Sequence, residues 1–330
     1  MAAKTNQAVR CGICPKRCRI PPGYSGECRV RINVDGTLRA TTYGRPCAVH
    51  VDPMEKKPLF HFFPGAMILS LGTAGCNLHC KNCQNADISQ GNPEDITAYD
   101  VPPEALPALA KKHACAHVAY TYNEPLVSYE YTRDCCIAAR AAGLRNVLVT
   151  NGYINEEPLA ALLPYVDAAN VDIKGFSDAF YREVCGGTLE PVLRTVLMMK
   201  AAGVHVEVTN LVIPTLNDSD ALFDPLCAWM REQAGPEVPL HFSRFFPCFR
   251  MTHLPPTPVD SLLRARERAR LAGLKHIYVG NAEVPDGDDT FCAGCGGRVV
   301  ARQRYVVKEN RVTAAGACPD CGKRLYGVWS

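Results

Sequence analysis

The sequence lacks any long apolar segment. No run of 18 apolar residues occurs, and the first residues, MAAKTNQAVRCGIC, contain no apolar stretch of the kind that secretory leaders carry. We therefore expect a cytoplasmic protein without a membrane span. Neither sign of charge dominates the sequence, because 36 Lys and Arg residues nearly balance 33 Asp and Glu residues. The basic residues are also dispersed along the chain. This distribution argues against a nucleic-acid partner.

A dinucleotide fingerprint is missing as well, since no G-x-G-x-x-G follows a predicted strand. Cysteine, in contrast, is abundant, with 18 residues. Cytoplasmic thiols stay reduced, so clustered cysteines predict metal sites rather than disulfides. Six cysteines are scattered, and we predict that they are small buried apolar side chains. They are Cys115, Cys135, Cys136, Cys185, Cys227 and Cys248.

Short apolar runs alternate with helical stretches between Met67 and about Gly280. The predicted strands are 67–72, 116–122, 146–150, 168–174, 204–213, 240–245 and 276–280. This alternation predicts an α/β fold whose parallel sheet forms a partial TIM-type (β/α)6 barrel, with a doubly wound open sheet as the alternative. In both architectures, active-site residues belong at the carboxyl ends of the strands. We predict a Cys-rich module and linker over 1–64, the barrel over 65–285 and a zinc-ribbon module over 286–330.

Three cysteines follow the first predicted strand in the spacing C-x3-C-x2-C. They are Cys76, Cys80 and Cys83. Three thiolates can hold three irons of a [4Fe–4S] cube and leave the fourth iron open to S-adenosylmethionine (SAM). This loop resembles the signature of the radical SAM superfamily. The alternative is a three-cysteine zinc site that His79 or a distant residue completes.

The resemblance extends to the ends of the later strands. Polar residues there are similar to the SAM-binding elements of glycyl-radical-enzyme activases such as pyruvate formate-lyase activating enzyme. The resemblance implies SAM contacts for Asn123, Glu124, Thr150, Asn151, Asp172, Lys174, Glu207 and His241. Tyr122 and Asn123 replace two glycines of the family pattern, and Asn82 replaces an aromatic residue before the third cysteine.

Four longer stretches resemble the AmmeMemoRadiSam-system radical SAM enzymes. They are DPMEKKPLFHFFPG (52–65), GCNLHCKNCQNADISQ (75–90), TYNEPLVSYEY (121–131) and NVDIKGFSDAFYR (170–182). The resemblance implies a radical SAM enzyme that cleaves SAM reductively to a 5′-deoxyadenosyl radical, which abstracts hydrogen from an unidentified substrate. It also implies an electron donor such as flavodoxin or ferredoxin and, as candidate partners, the gene-neighbour proteins of that system.

The C-terminal cysteines form two C-x2-C pairs that 22 residues separate. They are Cys292, Cys295, Cys318 and Cys321. Each pair is followed by Gly, and the residues between the pairs alternate as in a hairpin. The pattern predicts a zinc ribbon with a closed four-ligand site. A rubredoxin-like iron or an auxiliary cluster is the alternative.

The N-terminal cysteines have the spacing C-x2-C-x3-C-x9-C. They are Cys11, Cys14, Cys18 and Cys28, with Cys47 and His50 as spare ligand candidates. Structural zinc and a second iron–sulfur cluster both remain open, and the ferredoxin spacing C-x2-C-x2-C-x3-C-P does not match. Lys56, Lys57 and His61 then precede the barrel, either in a solvated linker or in a cover over the site.

Three functions compete on this basis. We favour a radical SAM enzyme that acts on a small molecule or lipid. The first alternative is an activase that acts on a partner protein, and the modules at both ends of the chain argue mildly against it. The second is a zinc-scaffolded binding or redox protein without radical chemistry, which predicts no SAM-dependent formation of 5′-deoxyadenosine.

Overall fold

Two short antiparallel ladders begin the structure, a computed structural model that describes residues 7–330. Residues 1–6 of the predicted N-terminal module lie outside the described residues. One ladder pairs β1 (Val9–Arg10) with β2 (Arg19–Ile20), and the other pairs β3 (Arg31–Val34) with β4 (Thr37–Ala40). The strands are short because this segment is rich in Gly and Pro, which interrupt strands.

An eight-stranded sheet forms the centre of the molecule. Its strands are β5 (Ala48–Pro53), β6 (Met67–Gly72), β7 (His117–Tyr120), β8 (Arg145–Thr150), β9 (Ala168–Asp172), β10 (His205–Val212), β11 (Leu240–Arg244) and β12 (Ile277–Gly280). The order is β12-β11-β10-β9-β8-β7-β6-β5, and every pair from β6 to β12 is parallel. The predicted α/β fold with a parallel sheet is confirmed. The parallel set has seven strands, and β5, antiparallel to β6, was not predicted.

Helices connect the parallel strands and cover the sheet. They are α1 (Ala86–Gln90), α2 (Leu106–Lys112), α3 (Tyr129–Ala141), α4 (Glu156–Leu162), α5 (Asp178–Phe180), α6 (Glu190–Ala201), α7 (Asp220–Trp229) and α8 (Val259–Leu271). All four residues of β7 are buried, as expected of strands covered on both faces. Within residues 7–330, no helix is long and apolar enough to cross a membrane.

The segment between β5 and β6 packs into the sheet instead of forming a linker. Met54, Leu59 and Phe62 form an apolar cluster with residues of four strands, which are Ile68, Ala119, Val147 and Ala168. Lys57 and His61 are at most 1% exposed. The solvated-linker alternative is therefore wrong for these two residues.

A three-stranded sheet follows the barrel, with β13 (Thr290–Phe291), β14 (Arg298–Gln303) and β15 (Val306–Asn310). The hairpin predicted between the two C-x2-C pairs is therefore present as β14 and β15. The final residues also return to the barrel: Phe63 N donates to Val328 O at 2.7 Å, and Val328 N donates to His61 O at 2.8 Å. These contacts close the amino end of the barrel.

The buried guanidinium of Arg302 anchors this sheet to the segment between β5 and β6. Its Nη2 donates to Phe60 O at 2.6 Å, and its Nε lies 3.3 Å from Glu55 Oε1. Both charged side chains are 0% exposed, and the guanidinium lies 4.4 Å from the centroid of the Phe60 ring. The C-terminal sheet is thus held to the barrel by a buried ion pair.

Candidate functional site

A cavity of about 1030 Å³ opens at the carboxyl ends of the parallel strands. Ten of the eleven residues predicted to hold a cluster or SAM line it. They are Cys76, Cys80, Cys83, Asn123, Glu124, Thr150, Asn151, Asp172, Lys174 and His241. The exception is Glu207. The cavity lies where the rule for parallel α/β sheets places an active site.

The loop that carries Cys76, Cys80 and Cys83 is held by backbone hydrogen bonds to a later segment. His79 N donates to Cys185 O at 2.7 Å, and Lys81 N donates to Val184 O at 3.0 Å. The rest of the loop therefore has little freedom to move, and none of the three thiols forms a disulfide.

The spacing of these three sulfurs does not suit one metal ion. Ligand sulfurs of one tetrahedral zinc ion lie roughly 4 Å apart, given its bond lengths. Among residues 7–330, the thiols of this loop belong to no group of three ligand atoms that all lie within 4.8 Å. His79, the fourth ligand of the zinc alternative, instead places Nδ1 3.0 Å from Gln90 Oε1. A polynuclear cluster, which spreads its thiolates further apart, fits this donor set better.

Glu124 joins the ends of β7 and β8. Its carboxylate accepts hydrogen bonds from Leu126 N at 3.0 Å, Asn151 N at 2.8 Å and Thr150 Oγ1 at 2.9 Å. Burial raises the pKa of Glu124 to about 7, although these hydrogen bonds act to lower it. Two segments with predicted SAM contacts are therefore fixed to each other by one carboxylate.

Asn123 braces the cysteine loop. Its Nδ2 donates to Gly75 O at 2.7 Å and lies 3.3 Å from Thr73 Oγ1. Its amide is thus largely used within the protein, and it sets the position of the residue before Cys76. A positioning role explains Asn123 at least as well as the predicted contact with SAM.

Tyr122 occupies a position where glycine would be the unstrained choice. Its φ of 73° lies in the left-handed region, which disfavours bulky side chains. The phenol donates to Asp52 Oδ2 at 2.5 Å, and Lys57 Nζ lies 4.6 Å from the ring centroid. Lys57 Nζ also donates to Asp52 Oδ2 at 2.6 Å. This cluster compensates the strain and places Lys57 in the cavity wall, in agreement with the alternative of a cover over the site.

Asp172 and Lys174 form an ion pair at the end of β9. Lys174 Nζ lies 2.8 Å from Asp172 Oδ2, and the side chains are 23% and 35% exposed respectively. Because both line the cavity, they present a carboxylate and an ammonium group to any ligand there. Such groups suit hydroxyl groups and a carboxylate respectively.

Glu207 lies below the cavity, and its position does not support the predicted contact with SAM. It is 0% exposed, and its carboxylate accepts hydrogen bonds from His61 N at 2.7 Å, His205 Nε2 at 3.0 Å and His241 Nε2 at 2.7 Å. Burial alone would raise the pKa of Glu207, but the two imidazoles hold it well below its usual range. The role of Glu207 is therefore to orient His241, which does line the cavity.

Two buried oxygen atoms in the cavity wall have no hydrogen-bond partner among residues 7–330. They are Asn82 Oδ1 and Thr209 Oγ1. Buried polar atoms are normally satisfied, so such atoms indicate room for a polar ligand. A nucleoside ligand such as SAM carries matching amino and hydroxyl groups. The wall therefore fits SAM, although Asn82 replaces the aromatic residue of the family pattern.

The C-terminal and the N-terminal cysteine sets differ in the spacing of their ligand atoms. The ligand atoms of Cys292, Cys295, Cys318 and Cys321 all lie within 4.8 Å of one another, as one tetrahedral ion requires. The four N-terminal cysteines instead line a small cavity of their own. Neither spare candidate, Cys47 or His50, lines that cavity.

Comparisons with known proteins agree with this geometry. The model of the radical SAM superfamily matches residues 70–223. An uncharacterized protein of Methanocaldococcus jannaschii is 45% identical over 320 residues, which are 96% of this chain and 95% of that protein. The pyruvate formate-lyase 1-activating enzyme of Escherichia coli K12 is 24% identical over 168 residues, covering 49% of this chain and 68% of the enzyme.

One comparison with a solved structure concerns the fold alone. The crystal structure of Streptococcus suis SuiB bound to the precursor peptide SuiA superposes with a TM-score of 0.52 at 15% identity. The superposition covers 70% of this chain and 52% of SuiB. The parallel sheet and its connecting helices thus have a counterpart in a known architecture.

Proposed function

Because the chain belongs to the radical SAM superfamily and is a radical SAM enzyme, we propose that it cleaves SAM in the cavity and directs the resulting radical at a small organic substrate bound beside it. The observation that carries the proposal is the convergence of ten predicted residues on one cavity. Their positions in the sequence span residues 76 to 241, so the fold alone brings them together.

The cavity residues fall into three groups, which differ in what they bind or position. Cys76, Cys80 and Cys83 hold a [4Fe–4S] cluster, which supplies the electron that splits SAM into methionine and a 5′-deoxyadenosyl radical. Lys174 binds the SAM carboxylate and Asp172 the ribose hydroxyl groups. Glu124 keeps the ends of β7 and β8 in register beneath the ligand.

The size and walls of the cavity favour a small substrate. Pockets for small molecules usually span about 300–1,000 Å³, so a cavity of about 1030 Å³ has room for SAM and a second small ligand. Arg304 and Tyr305, from the turn between β14 and β15, form part of its wall. An activase must admit a glycine-bearing loop of a partner protein, and this wall narrows the approach. The likeness to activating enzymes keeps the activase as the second candidate.

The test of the proposed function replaces the cluster cysteines. We expect a Cys76→Ala, Cys80→Ala, Cys83→Ala variant, purified without oxygen, to lose about four irons per chain. It should form no 5′-deoxyadenosine from SAM with dithionite, as measured by mass spectrometry. The matched control replaces Cys115, Cys135 and Cys227, which are buried and do not line the cavity, and it should keep both properties. A wild-type protein with a full cluster that forms no 5′-deoxyadenosine would refute the proposal.

We also propose that the C-terminal cysteine set holds one structural zinc ion. Because Cys295 and Cys321 are exposed, replacing both with Ser removes two ligands without creating a cavity in the core. We expect this variant to lose about one zinc ion and no iron. Its C-terminal sheet should also lose protection in hydrogen exchange, because metal binding stabilises such small modules. Loss of iron instead of zinc would assign a rubredoxin-like site.

A further inference from the structure

The four N-terminal cysteines line one small cavity, and their sulfurs lie too far apart to ligate one ion. Cys11, Cys14, Cys18 and Cys28 line it together with apolar side chains that include Ile13, Ile20 and Val127. Among residues 7–330, the one group of three or more ligand atoms that all lie within 4.8 Å is the C-terminal set. The N-terminal sulfurs are therefore spread further apart than one tetrahedral ion requires, as the sulfurs of Cys76, Cys80 and Cys83 also are.

A buried cation with an unused donor also lines this cavity. Arg31 is 5% exposed, and its two terminal nitrogens donate to the Glu130 carboxylate at 2.7 and 2.8 Å. Its Nε has no hydrogen-bond partner among residues 7–330. An unpaired buried donor is costly, so this one indicates a missing acceptor. The sulfurs of an anionic iron–sulfur cluster accept such hydrogen bonds, which also tune its potential.

The N-terminal cysteine site touches the loop that carries the three radical SAM cysteines. Gly75 has a φ of +86°, and a Cβ added there would lie 2.6 Å from Cys28 O and 2.3 Å from Val30 Cγ2. Asn77 lines the N-terminal cavity. The residues on either side of Cys76 are thus in contact with the N-terminal module.

The two cysteine sets also face different spaces. Cys14 and Cys18 are partly exposed, whereas Cys11 and Cys28 are buried on the inner side. Cys76, Cys80 and Cys83 instead face the large cavity, which SAM and substrate occupy during turnover. An electron carrier that meets the N-terminal site therefore does not compete with these ligands.

We propose that Cys11, Cys14, Cys18 and Cys28 hold an iron–sulfur cluster that relays electrons to the radical SAM cluster. The relay rests on the proposed function, whereas the binding site does not. A one-electron carrier of the flavodoxin or ferredoxin class reduces the N-terminal cluster by one electron and is itself oxidised. The N-terminal cluster returns to its oxidised state when it reduces the cluster on Cys76, Cys80 and Cys83.

The binding site is tested by metal content in the full chain. Wild-type protein purified without oxygen should contain about eight irons and one zinc, and the Cys76→Ala, Cys80→Ala, Cys83→Ala variant should retain about four irons. After reduction with dithionite, the variant should show the electron paramagnetic resonance signal of one reduced cluster. About four irons and two zincs in the wild type, with no iron in the variant, would overturn the proposal but leave the proposed function intact. Iron-free wild-type protein, even after reconstitution, would overturn both.

The relay is tested with the variant Cys14→Ala, Cys18→Ala, which should retain about four irons. Its formation of 5′-deoxyadenosine should fall at least tenfold with reduced flavodoxin as donor and much less with dithionite, a small reductant that reaches the other cluster directly. Equal losses with both donors, or no loss with either, would overturn the relay. Arg31→Met is a second variant that keeps all four cysteines, and it should shift the reduction potential of the retained signal. An unchanged potential would contradict the predicted contact of Arg31 Nε with the cluster.

Discussion

Replacing Glu124 with Gln is expected to weaken SAM binding by about 10- to 100-fold without loss of iron. Both carboxylate oxygens of Glu124 accept a backbone N–H, one from Leu126 and one from Asn151. The Gln side chain has one acceptor oxygen, so one of these buried N–H groups loses its partner and faces an NH2 group. A hydrogen bond to a charged group contributes about 1.5–3 kcal/mol, which sets the expected range.

The measurement is equilibrium binding of SAM to the cluster-loaded variant above pH 8. Because the pKa of Glu124 is raised to about 7, its carboxylate is ionised in the wild type under these conditions. Glu156→Gln is the matched control, since Glu156 begins α4 and is exposed. Unchanged SAM affinity in Glu124→Gln would show that the register of β7 and β8 does not control the ligand site.

Replacing Arg302 with Met is expected to lower the free energy of unfolding by about 3–5 kcal/mol. The change removes the partner of buried Glu55 and leaves Phe60 O without its donor. Burial raises the pKa of Glu55 even with the guanidinium beside it, so the carboxylate of the variant should take up a proton. For a chain of this length, the melting temperature should fall by roughly 4–7 °C.

Two further variants separate charge pairing from packing. Arg298→Met removes a side chain that is 52% exposed and should change stability by no more than about 0.5 kcal/mol. The double variant Glu55→Gln, Arg302→Met should recover part of the loss, because a neutral amide at position 55 removes the free-energy cost of protonating buried Glu55. A melting temperature of Arg302→Met within 1 °C of the wild type would contradict the assigned role of the ion pair.

The strand ends of the barrel could be predicted because of how parallel sheets are buried. Strands covered on both faces are continuous apolar runs, and a polar residue just after such a run marks a carboxyl end. The family resemblance gave Asp172 and Thr150 as candidates, and each is the last residue of its strand and lines the cavity. Glu207 was predicted alongside them, but it lies at the third residue of β10 and pairs in register with Asn170 rather than Asp172. The pattern of strand ends predicts which edge of the sheet a residue lies near. It does not predict how far below that edge the residue is buried.

The segment between β5 and β6 could not be predicted, because its partners are distant in the sequence. Lys57 is charged, and a charged residue before a barrel fits a solvated linker and a cover over the site equally well. Glu55 is buried against Arg302, which follows 247 positions later. β5 was missed for a related reason: it is an edge strand with two exposed residues, His50 and Val51, and its alternation is weak.

The cysteine spacings predicted ligand sets but not the size of the metal group. C-x2-C pairs occur in both zinc ribbons and iron–sulfur proteins, so the N-terminal spacing left both open. The distances between the sulfur atoms distinguish these two kinds of site, because one ion and a polynuclear cluster require different separations. Arg31 Nε, which has no hydrogen-bond partner in the described part of the chain, adds a second clue that no feature of the sequence indicated.

The closed amino end of the barrel has a kinetic consequence. Phe62 and Val328 block that end, so ligands enter and leave the cavity from the carboxyl side. The cavity that contains the cluster cysteines and the strand ends proposed to hold SAM is also lined by Arg304 and Tyr305. Substrate that arrives first would obstruct the path of SAM. We therefore expect SAM and substrate to share one entrance, and we expect excess substrate to inhibit turnover competitively with respect to SAM.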